Sequence, residues 1–254
     1  MKGGEREMVI SRQELLAKGR MELLALQPED VAGRQLQRDE IEAIFGACDA
    51  FWLHPTERSP EAPHALLTSG LHSNGYVNCR LVLMRTNLCQ IMAAQLVQLL
   101  RGNYQGTIEW VVGSHSAATD LTKDVANLAG ANHYPLEKGP DDTQVWGKVV
   151  IPEDASVLHV EELRTTAKTT LAVRSGIRKG NPYPVNFIRW LPILIDRPEA
   201  GQGNEVDGSL VISLVRYEIW TSRPEACPLC QHGSKVVRPS ELRNWQMLVE
   251  SMKT

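Results

Sequence analysis

The stretch that decides the fold, residues 157–170, reads VLHVEELRTTAKTT. Its apolar beginning at 157–160 predicts a buried β-strand, and two adjacent acids, Glu161 and Glu162, follow it directly. Two neighbouring carboxylates repel each other and must be solvated or paired, which a sugar diol or a divalent cation would achieve. The pattern therefore indicates a polar site at the end of this strand.

A run of hydroxyl side chains follows the two acids and leads into a helix expected at 169–178. A helix N-terminus offers free backbone N–H groups and a positive dipole end, and threonine hydroxyls add further donors. Such an arrangement suits a phosphate. The two acids would bind the hydroxyls of a ribose, and the donors that follow would bind its 5′-phosphate. Together they predict a pocket for a phosphorylated sugar. The alternative is that the threonines are helix caps and the acids are solvated loop residues.

Strand-like and helix-like segments alternate from residue 65 onward. Strands are expected at 76–84, 107–113, 145–151, 157–160, 185–195 and 210–220, and helices at 88–100, 117–129 and 169–178, with Asn87 as a cap. This alternation predicts an α/β fold with a mostly parallel sheet flanked by helices. In such sheets, ligands bind at the carboxyl ends of the strands.

The two ends of the chain differ from this middle part. Helices are expected at 5–26 and 37–52, and a proline-rich linker at 53–64. We therefore divide the chain into an N-terminal helical extension (1–55), a core (56–222) and a C-terminal tail (223–254).

Composition excludes several classes of protein. The 254 residues are 43% hydrophobic and carry a net charge of −3 with scattered basic residues, which gives no electrostatic basis for binding nucleic acid or an anionic membrane. No apolar run reaches the roughly 18 residues of a membrane span, and the charged start MKGGEREMVISRQELL is unlike a signal peptide. The odd number of cysteines, five, favours a reducing compartment. We expect a soluble cytoplasmic protein.

The stretch 157–170 resembles the phosphoribosyl-pyrophosphate (PRPP) signature of the type I phosphoribosyltransferases. Glu161 and Glu162 occupy its two acidic positions, and Thr165 and Thr166 match its two threonines. Ala167 stands where the signature has glycine, a residue that tolerates a positive φ or a close approach of phosphate. Lys168 and Thr169 complete the expected 5′-phosphate loop, and the resemblance implies the type I phosphoribosyltransferase fold.

Residues 66–80, LLTSGLHSNGYVNCR, resemble a segment of the orotate phosphoribosyltransferases. The matching positions are Leu67, Ser69, Gly70, Ser73, Tyr76, Asn78 and Arg80. The resemblance assigns Ser69 and Arg80 to PRPP binding. Thr68 replaces a lysine that reaches the base in that family, which removes a cation from the base-binding side.

Two further stretches match the same family in order. The strand–turn–helix unit at 110–130 resembles the pyrophosphate loop, with Ser114, His115 and Ser116 as donors. The Asp-Arg pair at 196–197 resembles the one in which the arginine meets the orotate carboxylate, so Arg197 is the expected base-binding cation.

The resemblance implies transfer of ribose 5-phosphate from PRPP to a nitrogen of a base, with Mg²⁺ bridging the pyrophosphate and the ribose hydroxyls. Glu161 and Glu162 would bind the ribose or hold Mg²⁺ through water. Lys138, in the interval 132–147 that matches the family's mobile loop, is the expected catalytic cation. That interval is short, and it carries Asp141 and Asp142 at positions where the family's loop usually has positively charged side chains. A homodimer is implied as well.

Three functions stay open at the level of sequence. The first is an active enzyme of nucleotide metabolism that uses orotate or a similar base, as in pyrimidine biosynthesis. The second is a phosphoribosyltransferase for a purine or another base. The third is a PRPP- or nucleotide-binding protein that has lost catalysis and serves regulation or assembly. Ala167, Thr68 and the short loop favour the third, whereas the acid pair and Arg197 favour the first two.

Cys227 and Cys230 form a CxxC pair with His232 close behind. A zinc site needs four ligands, and Cys48, Cys79 or Cys89 would have to complete it. We therefore prefer a turn with free thiols over a zinc site or a redox pair.

Overall fold

Helices and short strands alternate through the part of the chain that the structure, a computed structural model, describes: residues 9–115 and 117–253. The helices are α1 (Arg12–Leu16), α2 (Arg20–Leu24), α3 (Arg38–Ala47), α4 (Arg80–Leu83), α5 (Thr86–Arg101), α6 (Ala118–Ala129), α7 (Lys168–Gly180), α8 (Pro228–Gln231) and α9 (Leu242–Ser251). A 3₁₀ turn at Pro140–Asp142 lies between two of the strands.

The strands are mostly short. They are β1 (Phe51–Leu53), β2 (His64–Leu66), β3 (His72–Ser73), β4 (Gly75–Val77), β5 (Trp110–Val112), β6 (Asn132–His133), β7 (Glu137–Lys138), β8 (Gln144–Val145), β9 (Ser156–His159), β10 (Glu161–Arg164), β11 (Asn186–Phe187), β12 (Trp190–Asp196), β13 (Glu205–Val206), β14 (Ser209–Arg216), β15 (Thr221–Ser222) and β16 (Val236–Val237).

A mostly parallel sheet forms the centre of the fold. One half has the strand order β11-β9-β5-β6 and the other β10-β12-β14-β13. Only Val160 separates β9 from β10, so the two halves are continuous through this strand. The pairings are parallel except that of β13 with β14, which confirms the parallel sheet expected from the alternating sequence pattern.

The largest hydrophobic cluster joins the sheet to the helices around it. It includes Ile91 and Leu96 of α5, Leu158 of β9 and Ile195 of β12, all of them fully or almost fully buried. Burying a side chain of this size contributes roughly 1.5–3 kcal/mol. Residues of the N-terminal helices, such as Leu15 of α1, belong to the same cluster. Our division of the chain at residue 55 stays a prediction.

The expected helix at 5–26 is wrong as a continuous element. Its residues 5–8 lie outside the described part of the chain, and the remainder forms two short helices, α1 and α2. Ser11 caps α1 by accepting a hydrogen bond from the Glu14 N–H, and Gly19 begins α2. The second expected helix also ends early, because Ala47 is its last residue and the chain turns into β1.

Two expectations around residues 76–88 are wrong as well. The strand at 76–84 ends at Val77, and residues 80–83 form α4 instead. Asn87 does not cap α5, whose N-cap residue is Arg85. The Asn87 amide instead donates to the carbonyls of Leu24 and Leu26, at 3.0 and 2.7 Å, so it ties α5 to the end of α2.

The strand expected at 145–151 is replaced by a hairpin. Glu137 pairs with Val145 and Lys138 pairs with Gln144 in an antiparallel ladder, β7–β8, that ends at residue 145. The hairpin packs on α7, where a Cβ at Gly176 would lie only 2.0 Å from the Gln144 carbonyl, too close for any other residue. Trp146 is buried beside Gly180 of the same helix.

Among the residues that the structure describes, none of the helices combines the length and the apolar character needed to cross a lipid bilayer.

Candidate functional site

The two adjacent acids lie where the central strand changes its partner. Val160 donates its N–H to the Val112 carbonyl, at 2.9 Å, and Glu161 then begins β10, which pairs with β12. The acids therefore do not end the strand, as the sequence suggested, but mark the point at which it leaves β5. Both side chains thus arise at the opening between two parallel strands, where α/β folds bind ligands.

Glu161 is held by hydrogen bonds on both carboxylate oxygens. Ser114 Oγ donates to Oε2 at 2.7 Å, and His159 Nε2 lies 2.7 Å from Oε1. Arg174 Nε donates to His159 Nδ1 at 3.3 Å, which places the imidazole proton on Nε2, the atom that donates to Glu161. Burial lowers the pKa of His159 well below its usual value, so the ring is neutral.

Arg174 connects this network to residues at the β13–β14 turn. Its guanidinium donates to the Asp207 carbonyl and to Ser209 Oγ, both at 2.8 Å, and lies over the ring of Phe187. The chain of contacts from Asp207 through Arg174 and His159 fixes the orientation of Glu161. Arg174 could not be identified from the sequence, because an arginine in an amphipathic helix is ordinarily expected to be solvent-exposed.

The carboxyl groups of Glu161 and Glu162 differ in their pKa values and in their hydrogen-bond partners. Burial raises the pKa of Glu161 to about 7 and that of Glu162 to about 8, and the charge of Glu161 adds to the second shift. Glu162 Oε2 is buried without a hydrogen-bond partner in the described structure. An unpaired buried carboxylate oxygen is costly, so this atom suits a hydroxyl donor or a cation as partner.

Glu162 faces a cleft of about 600 Å³. The cleft is lined by Ser114, His115, Lys138, Asp141, Thr143, Gln144, Glu162, Lys168, Thr169 and Ala172. It thus brings together parts of the acidic pair, the expected pyrophosphate loop, the expected 5′-phosphate loop and the β7–β8 hairpin. A volume of this size accommodates a small phosphorylated ligand.

The expected 5′-phosphate loop runs directly into α7. Thr165 and Thr166 are half-buried, whereas Lys168 and Thr169 are exposed at the start of the helix. Ala167 is the N-cap residue and makes no side-chain hydrogen bond to the first turn. Its φ of 60° and ψ of 6° lie in the left-handed region that glycine favours. The loop therefore keeps a glycine-type conformation despite the alanine.

The expected pyrophosphate loop follows β5. Gly113 is required there, because a Cβ would lie 2.5 Å from the Val160 carbonyl. Beyond Ser114, the His115 N–H donates to Gln144 Oε1 at 2.9 Å, and His115 Nδ1 lies 3.2 Å from the Leu136 carbonyl. Ser116 lies outside the described residues. One donor of this loop is thus engaged by Gln144, a residue that the sequence analysis missed because its strand was not expected.

Lys138 lies on the β7–β8 hairpin, within the interval 132–147 that the sequence analysis matched to a mobile loop. It pairs with Gln144 across β7 and β8 and lines the same cleft as Glu162. The structure therefore places Lys138 at the same cleft as Glu162, and its catalytic role stays a prediction. Asp141, at the tip, has a φ of 52° and also lines the cleft.

The segment 66–80 contributes less directly. Thr68 and Ser69 are exposed in the tight turn between β2 and β3, where Gly70 has a φ of 81°. Arg80 is exposed at the start of α4. None of these three is among the described residues that line the cleft. Within this segment Cys79 contacts the acidic pair, because its thiol donates to the backbone carbonyl of Glu162 at 3.4 Å.

Asp196 and Arg197 have separate partners at the end of β12. Asp196 forms a buried two-point ion pair with Arg164, at 2.7 and 3.0 Å. The Arg197 N–H donates to the Arg164 carbonyl, which keeps β12 beside β10 at this end. Burial lowers the pKa of Arg197, and among the described residues its guanidinium has no hydrogen bond or ion pair. Arg197 is thus available to an anionic ligand.

Cys227 and Cys230 lie together with His64 and His72. Cys48, Cys79 and Cys89, the partners considered from sequence, are buried in the main cluster instead.

Comparison with known proteins identifies relatives along most of the chain. No protein-family model matches. The chain is 30% identical over 177 residues to the orotate phosphoribosyltransferase of Caldicellulosiruptor bescii, covering 69% of this chain and 87% of that protein. It is 27% identical over 205 residues to the orotate phosphoribosyltransferase of Pelotomaculum thermopropionicum, covering 80% and 97%.

Solved structures show the same architecture. The orotate phosphoribosyltransferase of Aeropyrum pernix superposes with a TM-score of 0.50 at 17% identity, covering 69% of this chain and 92% of that one. The UMP synthase of Leishmania donovani superposes with a TM-score of 0.52 at 13% identity, covering 86% of this chain and 42% of that longer one. The likeness confirms the expected type I phosphoribosyltransferase fold.

Proposed function

The chain belongs to the orotate phosphoribosyltransferase family, and from this premise we propose that it transfers ribose 5-phosphate from PRPP to a nitrogen of an orotate-like base. The observation that carries the proposal is the pairing of a fixed acid, Glu161, with an incompletely satisfied one, Glu162, at the mouth of a cleft. Carboxylates accept hydrogen bonds from ribose hydroxyls, and such bonds contribute about 1.5–3 kcal/mol each.

The residues around the cleft divide among the parts of PRPP. Thr165, Thr166 and Thr169, with the free N–H groups of the first turn of α7, would hold the 5′-phosphate, and Ala167 and Lys168 would border it. Ser114 and His115 would meet the pyrophosphate, together with Ser116. Lys138, which lines the cleft, would stabilise charge on the leaving pyrophosphate. Positioning and electrostatics would supply most of the rate enhancement.

The segment 66–80 and the end of β12 would bind the base and part of PRPP. We assign Arg197 to the carboxylate of the base, since its guanidinium is partly buried and unpaired among the described residues. Ser69 and Arg80 would contact PRPP, and Thr68 the base, after the β2–β3 turn that carries Thr68 and Ser69 and the start of α4 that carries Arg80 move toward the cleft. Their exposure leaves room for such a movement.

Magnesium fits the acidic pair. The unpaired Oε2 of Glu162 is a hard oxygen ligand, and Mg²⁺ in phosphate-binding sites typically uses one or two carboxylates, waters and substrate phosphates. Glu162 and Glu161 would hold the ion, directly or through water. When bound, Mg²⁺ would neutralise charge on the pyrophosphate group.

A catalytically silent PRPP-binding protein is the second candidate function. The observation in its favour is that Gln144 engages the His115 N–H and that the β7–β8 hairpin packs on α7. A family loop that moves during catalysis is thereby replaced by a short, packed element. Both candidate functions require PRPP binding, but only the first predicts that PRPP is converted to product.

Calorimetric titration with PRPP in the presence of Mg²⁺ tests the shared premise. We expect saturable binding by the wild-type protein and its loss in the double variant Glu161→Gln, Glu162→Gln, which keeps the side-chain volume. Unchanged affinity in the double variant would refute the ribose assignment. A pyrophosphate-release screen across bases then separates enzyme from silent binder. The homodimer and the cytoplasmic location inferred from sequence stay predictions, for which light scattering and cell fractionation are the measurements.

A further inference from the structure

A second cluster of ligand-type side chains lies apart from the cleft. His64, His72, Cys227 and Cys230 each offer one donor atom, and the four atoms lie within 4.8 Å of one another. Three of the four side chains are buried, and Cys230 is exposed. None of them lines the cleft or contacts the acidic pair in the described structure.

The spacing of the four donor atoms matches a tetrahedral metal site. His64 Nε2 lies 3.0 Å from His72 Nδ1 and 3.5 Å from each of the two sulfurs, and Cys230 Sγ lies 3.3 Å from His72 Nδ1. A tetrahedral zinc ion with Zn–N bonds of about 2.05 Å and Zn–S bonds of about 2.3 Å separates its ligands by roughly 3.3 Å (N to N) and 3.6 Å (N to S). The observed spacing agrees to within a few tenths of an ångström.

The protonation of His64 is set by its outer neighbour. Ser234 Oγ donates a short hydrogen bond to the Ala62 carbonyl, so it accepts from His64 Nδ1, which lies 2.7 Å away. The proton is therefore on Nδ1, and Nε2 directs its lone pair at the three other donor atoms. A metal-ligating histidine characteristically donates its second N–H to an oxygen in this way.

We propose that His64, His72, Cys227 and Cys230 bind one zinc ion in a closed, structural site. Two cysteine thiolates and two neutral imidazoles balance the charge of Zn²⁺, which suits a mostly buried position. Two thiol protons leave when the ion binds. All four positions are taken by protein, so the ion has no open coordination site and performs no catalysis.

The metal would join three segments that are distant in sequence. His64 lies on β2 and His72 on β3, whereas Cys227 is the N-cap residue of α8 and Cys230 lies within that helix. In the same sheet β16 pairs with β2, and β15 pairs with β3. The ion would thus fix the C-terminal segment to the β2–β3 hairpin, whose turn carries Thr68 and Ser69. It would hold the base of this turn rigid while leaving its tip exposed.

His232 provides a matched control. It follows Cys230 by two residues, so the sequence alone makes it a plausible ligand, yet it is exposed and is not part of the cluster. A site assembled from the sequence motif would need His232. The site described here needs His64 and His72 instead.

Elemental analysis of protein purified under reducing conditions from zinc-supplemented culture tests the proposal. We expect about one zinc per chain in the wild-type protein and in His232→Asn, and at least a fivefold lower content in Cys230→Ser and His72→Asn. Removing zinc with a chelator should lower the melting temperature of the wild-type protein and of His232→Asn, but not that of Cys230→Ser.

Cobalt substitution covers the case in which these variants fail to fold. Chelated wild-type protein titrated with Co²⁺ should show the visible bands of a tetrahedral ion and thiolate charge-transfer absorption, which saturate at about one equivalent. Two results would overturn the proposal. One is a wild-type protein that carries no zinc and gives no tetrahedral cobalt spectrum after reconstitution. The other is a folded Cys230→Ser variant that keeps its full zinc content.

Discussion

Ser114 Oγ lies 2.7 Å from Glu161 Oε2, so a buried hydrogen bond joins the loop after β5 to the acidic pair of β10. The two segments are 47 residues apart in the chain and become neighbours because β5 and β9 are adjacent parallel strands. This contact, with that of His159, leaves Glu161 fixed and Glu162 as the carboxylate with an unpaired oxygen.

PRPP binding should strengthen as pH rises from about 6 to 9. The pKa of Glu161 is raised to about 7 and that of Glu162 to about 8, so both acids become charged within this window, and a carboxylate accepts hydrogen bonds from ribose hydroxyls more strongly than a protonated acid does. The Ser114 hydrogen bond lowers the pKa of Glu161, so Ser114→Ala should move the rise to higher pH. Calorimetry with Mg²⁺-PRPP at a series of pH values measures both effects.

Glu162→Gln is the control for this pH series, because the ligand's own phosphate titration is the same for both proteins. The variant should bind more weakly and should lose part of the pH dependence. A wild-type profile that coincides with the variant profile would show that the acids do not titrate in binding.

Ala167→Gly should stabilise the fold. A left-handed conformation costs an alanine about 1–2 kcal/mol relative to glycine, and the greater freedom of glycine in the unfolded chain offsets about 0.4–1 kcal/mol. The net gain in the free energy of unfolding, measured by chemical denaturation, is up to about 1.6 kcal/mol. Ala172→Gly, inside α7, is the matched control and should lose about 1 kcal/mol.

The same variant reports on the 5′-phosphate loop. Because Ala167 already has the glycine-type conformation, Ala167→Gly should tighten the binding of nucleoside 5′-monophosphates no more than a few-fold. A loss of affinity would instead mean that the loop has been rebuilt around the methyl group for another ligand.

Gln144 should compete with pyrophosphate for the His115 N–H. Its amide oxygen accepts that hydrogen bond at 2.9 Å, so Gln144→Ala should free the donor and tighten Mg²⁺-pyrophosphate binding several-fold. Gln144→Glu places a negative charge at the same position and should weaken binding by at least tenfold. Weaker binding by the alanine variant would assign Gln144 itself to the pyrophosphate site.

Arg197 should be needed for the base and dispensable for PRPP. Removing one partner of a partly buried charge pair typically costs about 2–5 kcal/mol, so Arg197→Ala should nearly abolish binding of orotate and orotidylate. PRPP affinity should stay within about twofold, because PRPP occupies the other end of the site. Arg216→Ala is the control, since Arg216 also lies near Asp196 but is exposed. Equal losses for all ligands would contradict the assignment.

Site residues that are consecutive in the chain could be predicted from the sequence, whereas site residues that only the fold brings together could not. The acids Glu161 and Glu162 and the start of α7 lie together because they are consecutive, so one motif sufficed to find them. Gln144 was missed because β8 has only two residues and no hydrophobic period. The proposed zinc ligands His64 and Cys227 are 163 residues apart, and the pairings of β2 with β16 and of β3 with β15 bring them together.

The most direct measurement of the central claim follows pyrophosphate release and orotate consumption in a mixture of the wild-type protein, PRPP, Mg²⁺ and orotate. Our account predicts that the two occur in equal amounts, with orotidylate as product, and that the Glu161→Gln, Glu162→Gln double variant produces neither. A protein that binds PRPP with Mg²⁺ yet releases no pyrophosphate with orotate or any other base would contradict the account and would identify a silent PRPP-binding protein.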